Sequence, residues 1–262
     1  MPAEFVHLAL ARRIADALAI DDALRPAFAL GSIAADVNNV GGGARQDTHF
    51  WYWPEGGDVS GAPTLLARHP ALRAHCLAPP ERAFLAGYLS HLITDEQEIV
   101  GLFRPYMAHL SKRVPAPDAR ELRLASLIVV DAAVEAHDPS QLQTAIAELR
   151  AAARLPLRDG LLPFVAMADV HEWAARTLAV AGLPANRARV EPHLAANEPP
   201  AAVTRRVGAL QEAIRLALPP TAIQDFIERS TSESADFVGA YLAERPLPTP
   251  QGTKPLREAA LH

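Results

Sequence analysis

His91 and Asp95 are the residues of this chain whose types and spacing most directly indicate chemistry. They lie four residues apart in an otherwise apolar segment, and no other His-x-x-x-Asp occurs in the sequence. Because a helix has 3.6 residues per turn, this spacing places the imidazole and the carboxylate on one helical face. Burying such groups is costly unless they have a partner, and a divalent metal ion suits both. A hydrogen-bonded or salt-bridged core pair is the competing interpretation.

Three earlier residues extend this pair to a possible metal site. His7 lies in an apolar N-terminal segment, Asp36 lies near the end of a hydrophobic helix, and His49 precedes four aromatic residues in a loop. Each alone has an ordinary interpretation: a core histidine, a surface acid and a loop histidine. Together, two carboxylates and three imidazoles form a ligand set that zinc, manganese or iron prefers over calcium or magnesium. Convergence of helix and loop side chains would create a metal site in a bundle core.

Helical periodicity dominates the elements that must position these side chains, and strand signals are almost absent. Residues 41–61, glycine-rich at both ends, are predicted to form a long loop, and residues 245–262 form a proline-rich tail without an apolar face. Asp138 before Pro139 is typical of a helix start. The sequence therefore predicts an all-α, single-domain multi-helix bundle over residues 1–244. The predicted helices cover about 4–20, 22–38, 64–73, a long segment after Pro79-Pro80, 118–136, 140–153, 158–181, 199–217 and 221–244.

Composition excludes several functional classes. Half of the 262 residues are hydrophobic and the formal net charge is −5, which argues against a surface that coats nucleic acid and against a polybasic membrane patch. The single cysteine, Cys76, excludes an intramolecular disulfide and a cysteine-rich zinc site. Neither an export signal nor a run of about 20 apolar residues is found. We therefore expect a soluble, cytoplasmic protein without a membrane span.

An ordered set of segments carries a resemblance to a known family. The set comprises His7, Gly-Ser-Ile-Ala-Ala-Asp at 31–36, Asp-Thr-His-Phe at 47–50 and Gly-Tyr-Leu-Ser-His-Leu-Ile-Thr-Asp at 87–95. It resembles the zinc-dependent phospholipase C family, whose all-helical fold is shared with zinc-dependent single-strand-specific nucleases. The resemblance implies a clustered metal centre that hydrolyses phosphate esters in a small phosphorylated or lipid-like substrate. By position it assigns Asp36, His49, His91 and Asp95 to one zinc ion, with His7 and Asp95 contributing to a second.

The chain departs from this family at the ligands of a further zinc ion. Secreted members use the amine and carbonyl of an N-terminal tryptophan, together with a later histidine and a His-x-x-x-Glu pair. This chain begins Met1-Pro2 and contains no His-x-x-x-Glu. Asp131 and Glu135, one helical turn apart, are candidate second-site acids, although the polar face of an alanine-rich helix is the competing interpretation. We therefore expect one or two zinc ions.

The leading functional hypothesis is a metal-dependent hydrolase of a phosphate ester or phosphodiester. Asp36 and Asp95 are its candidate catalytic residues, with Asp36 as general base. In the loop, Arg45 is a candidate contact for an anionic group, and Trp51 and Trp53 are candidate walls of the substrate pocket. Two alternatives remain: the same metal-binding scaffold used for a non-hydrolytic biosynthetic reaction, or a non-catalytic helical interaction module.

Overall fold

Helices supply the regular secondary structure of residues 4–41, 43–51, 59–107, 119–181, 200–219 and 221–253, which are the residues that the structure describes. No strand occurs in these ranges of the computed structural model, so the predicted all-α class is confirmed. The helices are α1 (Glu4–Ala17), α2 (Arg25–Ala34), α3 (Asn38–Gly41), α4 (Arg45–His49), α5 (Gly61–Arg68), α6 (Pro79–Glu98), α7 (Ala119–His137), α8 (Pro139–Ala152), α9 (Met167–Val180), α10 (Pro200–Ala217) and α11 (Ala222–Leu242). A π-helical segment, Ile99–Met107, continues α6, and 3₁₀ turns cover Ala35–Val37, Pro70–Leu72 and Ala74–Cys76.

Local sequence signals explain several helix ends. The side chain of Asp138 accepts a hydrogen bond from the backbone N–H of Gln141 at 3.1 Å, so its predicted role as a helix cap is confirmed. Two prolines open α6, where their missing N–H groups cost nothing. Phe50 ends α4 in the left-handed conformation, with φ of 56°. These signals are local, and they fix where the helices begin and end rather than how they pack.

Three predicted boundaries were wrong. The predicted loop at 41–61 contains the short helix α4. The helix predicted over 64–73 ends at Arg68, because His69 precedes Pro70 and the residue before a proline is disfavoured in the helical region. The helix predicted over 158–181 begins only at Met167, since Gly160 takes a positive φ of 73° and Pro163 interrupts the pattern.

Among the described helices, α2 and α6 pack against each other most extensively, and two glycines allow this contact. A Cβ atom on Gly31 would lie 1.9 Å from the carbonyl oxygen of Phe84, and one on Gly87 would lie 2.0 Å from that of Phe28. Neither position can therefore carry a side chain without separating the helices. The close crossing brings the backbone of α2 within hydrogen-bonding distance of side chains on α6.

The remaining helices enclose this pair. Helix α1 packs against both α2 and α6, α8 covers α1 and α2, and α11 packs along α6. The resulting core is continuous and includes Phe5, Leu30 and Phe226, each at most 1% exposed. None of the described helices is both long enough and apolar enough to cross a membrane. Residues 245–253 of the predicted tail run back along the bundle, where the Gln97 side chain donates a hydrogen bond to the Gln251 carbonyl at 3.2 Å.

Candidate metal centre

The structure brings His7, Asp36, His49, His91 and Asp95 together in the interior. Helix α1 supplies His7, the 3₁₀ turn after α2 supplies Asp36, α4 supplies His49, and α6 supplies His91 and Asp95. All five are buried, with exposed fractions between 1% and 6%. Within the described residues they form two groups that could hold a metal ion: Asp36, His49 and His91, and His7, His91 and Asp95. Asp95 also lies within 3.4 Å of His49, which links the two groups.

Backbone carbonyls near Nδ1 of His91 and Nδ1 of His49 orient the two rings so that their Nε2 atoms face each other. Nδ1 of His91 lies 2.7 Å from the Ser32 carbonyl oxygen, and Nδ1 of His49 lies 3.2 Å from the Arg45 carbonyl oxygen. A carbonyl oxygen can only accept, so we assign the ring hydrogen to Nδ1 in both residues. Each Nε2 then carries a free lone pair, which is the tautomer that a metal-binding histidine needs.

The two Nε2 atoms of His49 and His91 face each other at 3.2 Å. Two lone pairs at this separation repel unless a proton or a cation lies between them. Burial lowers the pKa of His91, which disfavours a proton there. Zinc bonds of about 2.0–2.1 Å place two ligand atoms about 3.3 Å apart at tetrahedral angles. The separation of the two nitrogens therefore fits a shared zinc ion.

Both carboxylates surround this pair of nitrogens at similar distances. Nε2 of His49 lies 3.4 Å from Oδ1 of Asp36 and 3.4 Å from Oδ2 of Asp95. Nε2 of His91 lies 3.9 Å from Oδ2 of Asp36 and 3.8 Å from Oδ2 of Asp95. Two imidazoles and two carboxylates are a donor set that suits zinc, with Asp36 and Asp95 in the two different groups of three.

His7 lies at the edge of this cluster, with its ring stacked on His91 at a centroid distance of 3.7 Å. Its Nε2 is 3.3 Å from Oδ1 of Asp95, but the two atoms lack the alignment of a hydrogen bond. Burial, followed by the neighbouring His91, lowers the pKa of His7 and keeps its ring neutral. A buried imidazole whose nitrogens have no hydrogen bond is unusual. His7 is therefore available as a ligand of a second metal ion, together with His91 and Asp95.

Arg45 approaches both carboxylates from the solvent side of the cluster. Its Nη1 donates to Oδ1 of Asp36 at 2.8 Å and its Nη2 donates to Oδ2 of Asp95. Burial alone would raise the pKa of Asp95, but Arg45, His91 and His7 hold it below its ordinary value. For Asp36, burial is likewise outweighed by His91, His49 and Arg45, so its pKa lies well below the usual range. Both acids are therefore ionised at neutral pH.

Other candidate residues from the sequence take different positions. Asp131 is buried and Glu135 is partly exposed on α7, and neither joins a group of three metal-capable side chains within the described ranges. Trp51 is half-buried near Gly61, whereas Trp53 lies outside the described residues.

Sequence reasoning missed the backbone carbonyls of Ser32 and Arg45, which orient His91 and His49. The Ser32 carbonyl reaches His91 because α2 and α6 cross closely at Gly31 and Gly87. The only sequence signal for this contact was the presence of both glycines in the motif segments. Glu96, which follows Asp95, is 1% exposed and accepts hydrogen bonds from the Ser60 hydroxyl at 2.9 Å and the Gly61 N–H at 2.7 Å. It ties the end of the 41–61 segment to α6.

A family model described as zinc dependent phospholipase C matches residues 6–96. Residues 6–96 are therefore similar to the zinc-dependent phospholipase C family. The matched segment contains all five clustered residues and Arg45, and it ends beside Asp95. No curated protein and no solved structure matches the chain significantly.

Proposed function

We propose that this chain is a metal-dependent hydrolase that cleaves a phosphate ester or phosphodiester. The observation that carries the proposal is the pair of Nε2 atoms of His49 and His91, which face each other at 3.2 Å inside a shell of two ionised carboxylates. The family description, which names zinc dependence and a phospholipase C, supports the same reading. We expect one or two ions, held by Asp36, His49, His91 and Asp95, with His7 and Asp95 serving a second.

The protein groups around this centre have separable tasks in the proposed reaction. When bound, zinc supplies Lewis acidity to a phosphoryl oxygen and lowers the pKa of water from about 15.7 towards about 7. Asp36 is assigned as the general base for the attacking water, through a carboxylate oxygen that does not hold the metal. The Ser32 and Arg45 carbonyls hold the two imidazoles in the tautomer that this site requires.

Substrate contacts are assigned to the described residues that flank His49 in the 41–61 segment. Arg45 contacts both carboxylates and has 27% of its side chain exposed, and we assign it to the phosphate of the substrate. Trp51 is assigned to the wall of the pocket, and a small phosphorylated or lipid-like molecule is the expected substrate. The cytoplasmic location stays a prediction.

Metal content and turnover of the purified protein test this proposal together. We expect wild-type protein to retain about one or two zinc ions and to hydrolyse bis(p-nitrophenyl) phosphate or a short-chain phosphatidylcholine. His91→Ala should lose both properties. His75→Ala is the matched control, since His75 is exposed and paired with Glu244 at 3.3 Å, and it should retain both.

Two results would count against the hydrolase. Zinc-loaded protein without turnover of either phosphodiester would favour a non-hydrolytic reaction or an interaction module on the same scaffold. Protein that takes up no zinc under any condition would leave a histidine-lined core without the proposed chemistry.

A further inference from the structure

Arg45 occupies the carboxylate oxygens that the proposed metal would need. Its guanidinium contacts Oδ1 of Asp36 and Oδ2 of Asp95. These same two oxygens lie 3.4 Å from Nε2 of His49. A guanidinium is a positively charged donor with no acceptor atom, so it cannot share these oxygens with a divalent cation without strong repulsion.

The charges within the cluster lead to the same result. Two carboxylates and one guanidinium leave a net charge of −1 beside the three imidazoles. The guanidinium thus compensates one of the two buried negative charges. A divalent ion would compensate both charges, and Arg45 would then add a positive charge next to the ion.

The backbone of Arg45 performs a second task that does not depend on its side chain. Its carbonyl oxygen accepts hydrogen bonds from the Thr48 hydroxyl at 3.1 Å and from Nδ1 of His49 at 3.2 Å. These contacts use the backbone of α4, which begins at Arg45, and do not involve the guanidinium. With 27% of its side chain exposed, Arg45 can withdraw towards solvent while His49 keeps its orientation.

We propose that Arg45 is an internal cation that competes with the metal for Asp36 and Asp95, so that metal binding requires its guanidinium to leave both carboxylates. The inference rests on the proposed metal centre and adds a resident competitor to it. Arg45 stabilises the metal-free protein, weakens metal affinity, and becomes available to an anionic substrate only after the metal has bound. Arg45 therefore affects metal binding first, and it contacts the substrate only in the metal-bound protein.

Zinc titration calorimetry and thermal unfolding of chelated protein test the competition without using activity. Arg45→Met removes the guanidinium but keeps the carbonyl that orients His49. We expect this variant to bind zinc at least about fivefold more tightly, the lower end of typical coupling between two sites. We also expect the melting temperature of its chelated form to fall by roughly 2–8 °C.

Two further variants control this experiment. Arg12→Met is the matched control, because Arg12 is an ion-paired arginine of similar exposure, 21%, bonded to Glu148 at 2.6 Å away from the cluster. It should leave zinc affinity unchanged. Arg45→Lys keeps the charge but loses the planar fork that spans both carboxylates. It should show intermediate affinity, and it serves as the test variant if Arg45→Met does not fold without zinc.

The outcomes separate this inference from the proposed function. Equal zinc affinity in wild type and Arg45→Met, or weaker affinity in the variant, overturns the competition while leaving the metal centre intact. Zinc binding by Arg45→Met but not by wild type supports the competition and overturns the proposed zinc hydrolase. Absence of zinc binding in both proteins overturns both.

Discussion

Two faces of α6 hold consecutive acids in opposite electrostatic surroundings. Asp95 and Glu96 are both buried, at 2% and 1% exposure. Asp95 faces Arg45 and the imidazoles, and its pKa is lowered. Glu96 accepts hydrogen bonds from the neutral donors Ser60 and Gly61, and burial, together with the Asp95 charge, raises its pKa to about 7.

This difference shows that the partners, rather than burial itself, decide what a buried acid can do. A neighbouring cation keeps the Asp95 carboxylate ionised and able to bind a metal. Hydrogen bonds from a hydroxyl and a backbone N–H do not offset the loss of hydration at Glu96. The face of α6 that carries His91 and Asp95, the cation face, is therefore suited to a cation. The neighbouring face, which carries Glu96, anchors the loop that ends at Ser60 and Gly61.

Asp95→Asn should produce the largest change, because Asp95 contacts His7, His49, His91 and Arg45. We expect zinc affinity to fall by more than about a hundredfold, the upper range for losing an outer hydrogen-bond partner of a metal site. Removing one partner of a buried ion pair should also reduce the free energy of unfolding of chelated protein by about 3–5 kcal/mol. Calorimetric zinc titration and urea unfolding measure the two effects.

Asp16→Asn is the control for this variant. The Asp16 side chain is 36% exposed and pairs with Arg12 and Arg25. A surface pair of this kind contributes about 0–1 kcal/mol, and zinc affinity should not change. Wild-type zinc affinity in Asp95→Asn would remove Asp95 from the metal centre.

Gly31→Ala should disrupt the cation face from a distance by separating α2 from α6. The new Cβ would lie 1.9 Å from the Phe84 carbonyl oxygen, which is backbone and cannot rotate away. We expect the free energy of unfolding to fall by about 2–3 kcal/mol. Zinc affinity should fall as well, since the Ser32 carbonyl would move away from His91.

Gly208→Ala is the control, and it should raise the free energy of unfolding rather than lower it. Gly208 lies on α10 with no atom within 4 Å of a built Cβ, so alanine should stabilise the protein by about 0.5–1 kcal/mol through helix propensity. Similar stability changes in the two glycine variants would contradict the close crossing.

The contrast between these glycines also shows how far sequence reasoning reaches. Helical periodicity was sufficient to predict an all-α fold. The His-x-x-x-Asp spacing and the ordered motif segments selected five side chains that the structure brings together. The pattern could not predict that Arg45 bridges two acids, since nothing local fixes where a long side chain ends. Short helix α4 was missed because a helix of five residues is not stable alone. Its position depends on contacts with α6 such as the hydrogen bond from Tyr88 to Thr48.

Glu96→Gln tests the neighbouring face through pH. The folded pKa of Glu96, about 7, lies above the ordinary value of 4.5. Glu96 therefore contributes stability that is fully present below pH 4.5 and is lost as pH rises through about 7. Glutamine has no proton to lose, so chelated Glu96→Gln should become more stable than wild type by about 1–3 kcal/mol at pH 8, with little difference at pH 5.

Urea unfolding between pH 5 and pH 8.5 measures this effect, and Glu228→Gln is the control. Glu228 is exposed on α11, so its replacement should leave the pH profile parallel to that of wild type. A Glu96→Gln profile parallel to wild type would mean that Glu96 stays ionised across this range.

Tyr88→Phe should give the smallest change in the free energy of unfolding. Tyr88 on α6 connects this helix to α4, which carries His49. The buried Tyr88 hydroxyl donates to the Thr48 carbonyl at 2.5 Å, one residue before His49. Tyr241 makes a similar bond to the Leu72 carbonyl at 3.0 Å, away from the cluster. Each phenylalanine variant leaves a buried carbonyl without this donor, so both should lose about 1–2 kcal/mol in unfolding free energy. Only Tyr88→Phe should also weaken zinc affinity, because it loosens the segment that carries His49, and equal zinc affinity in the two variants would show that α4 is held in place without Tyr88.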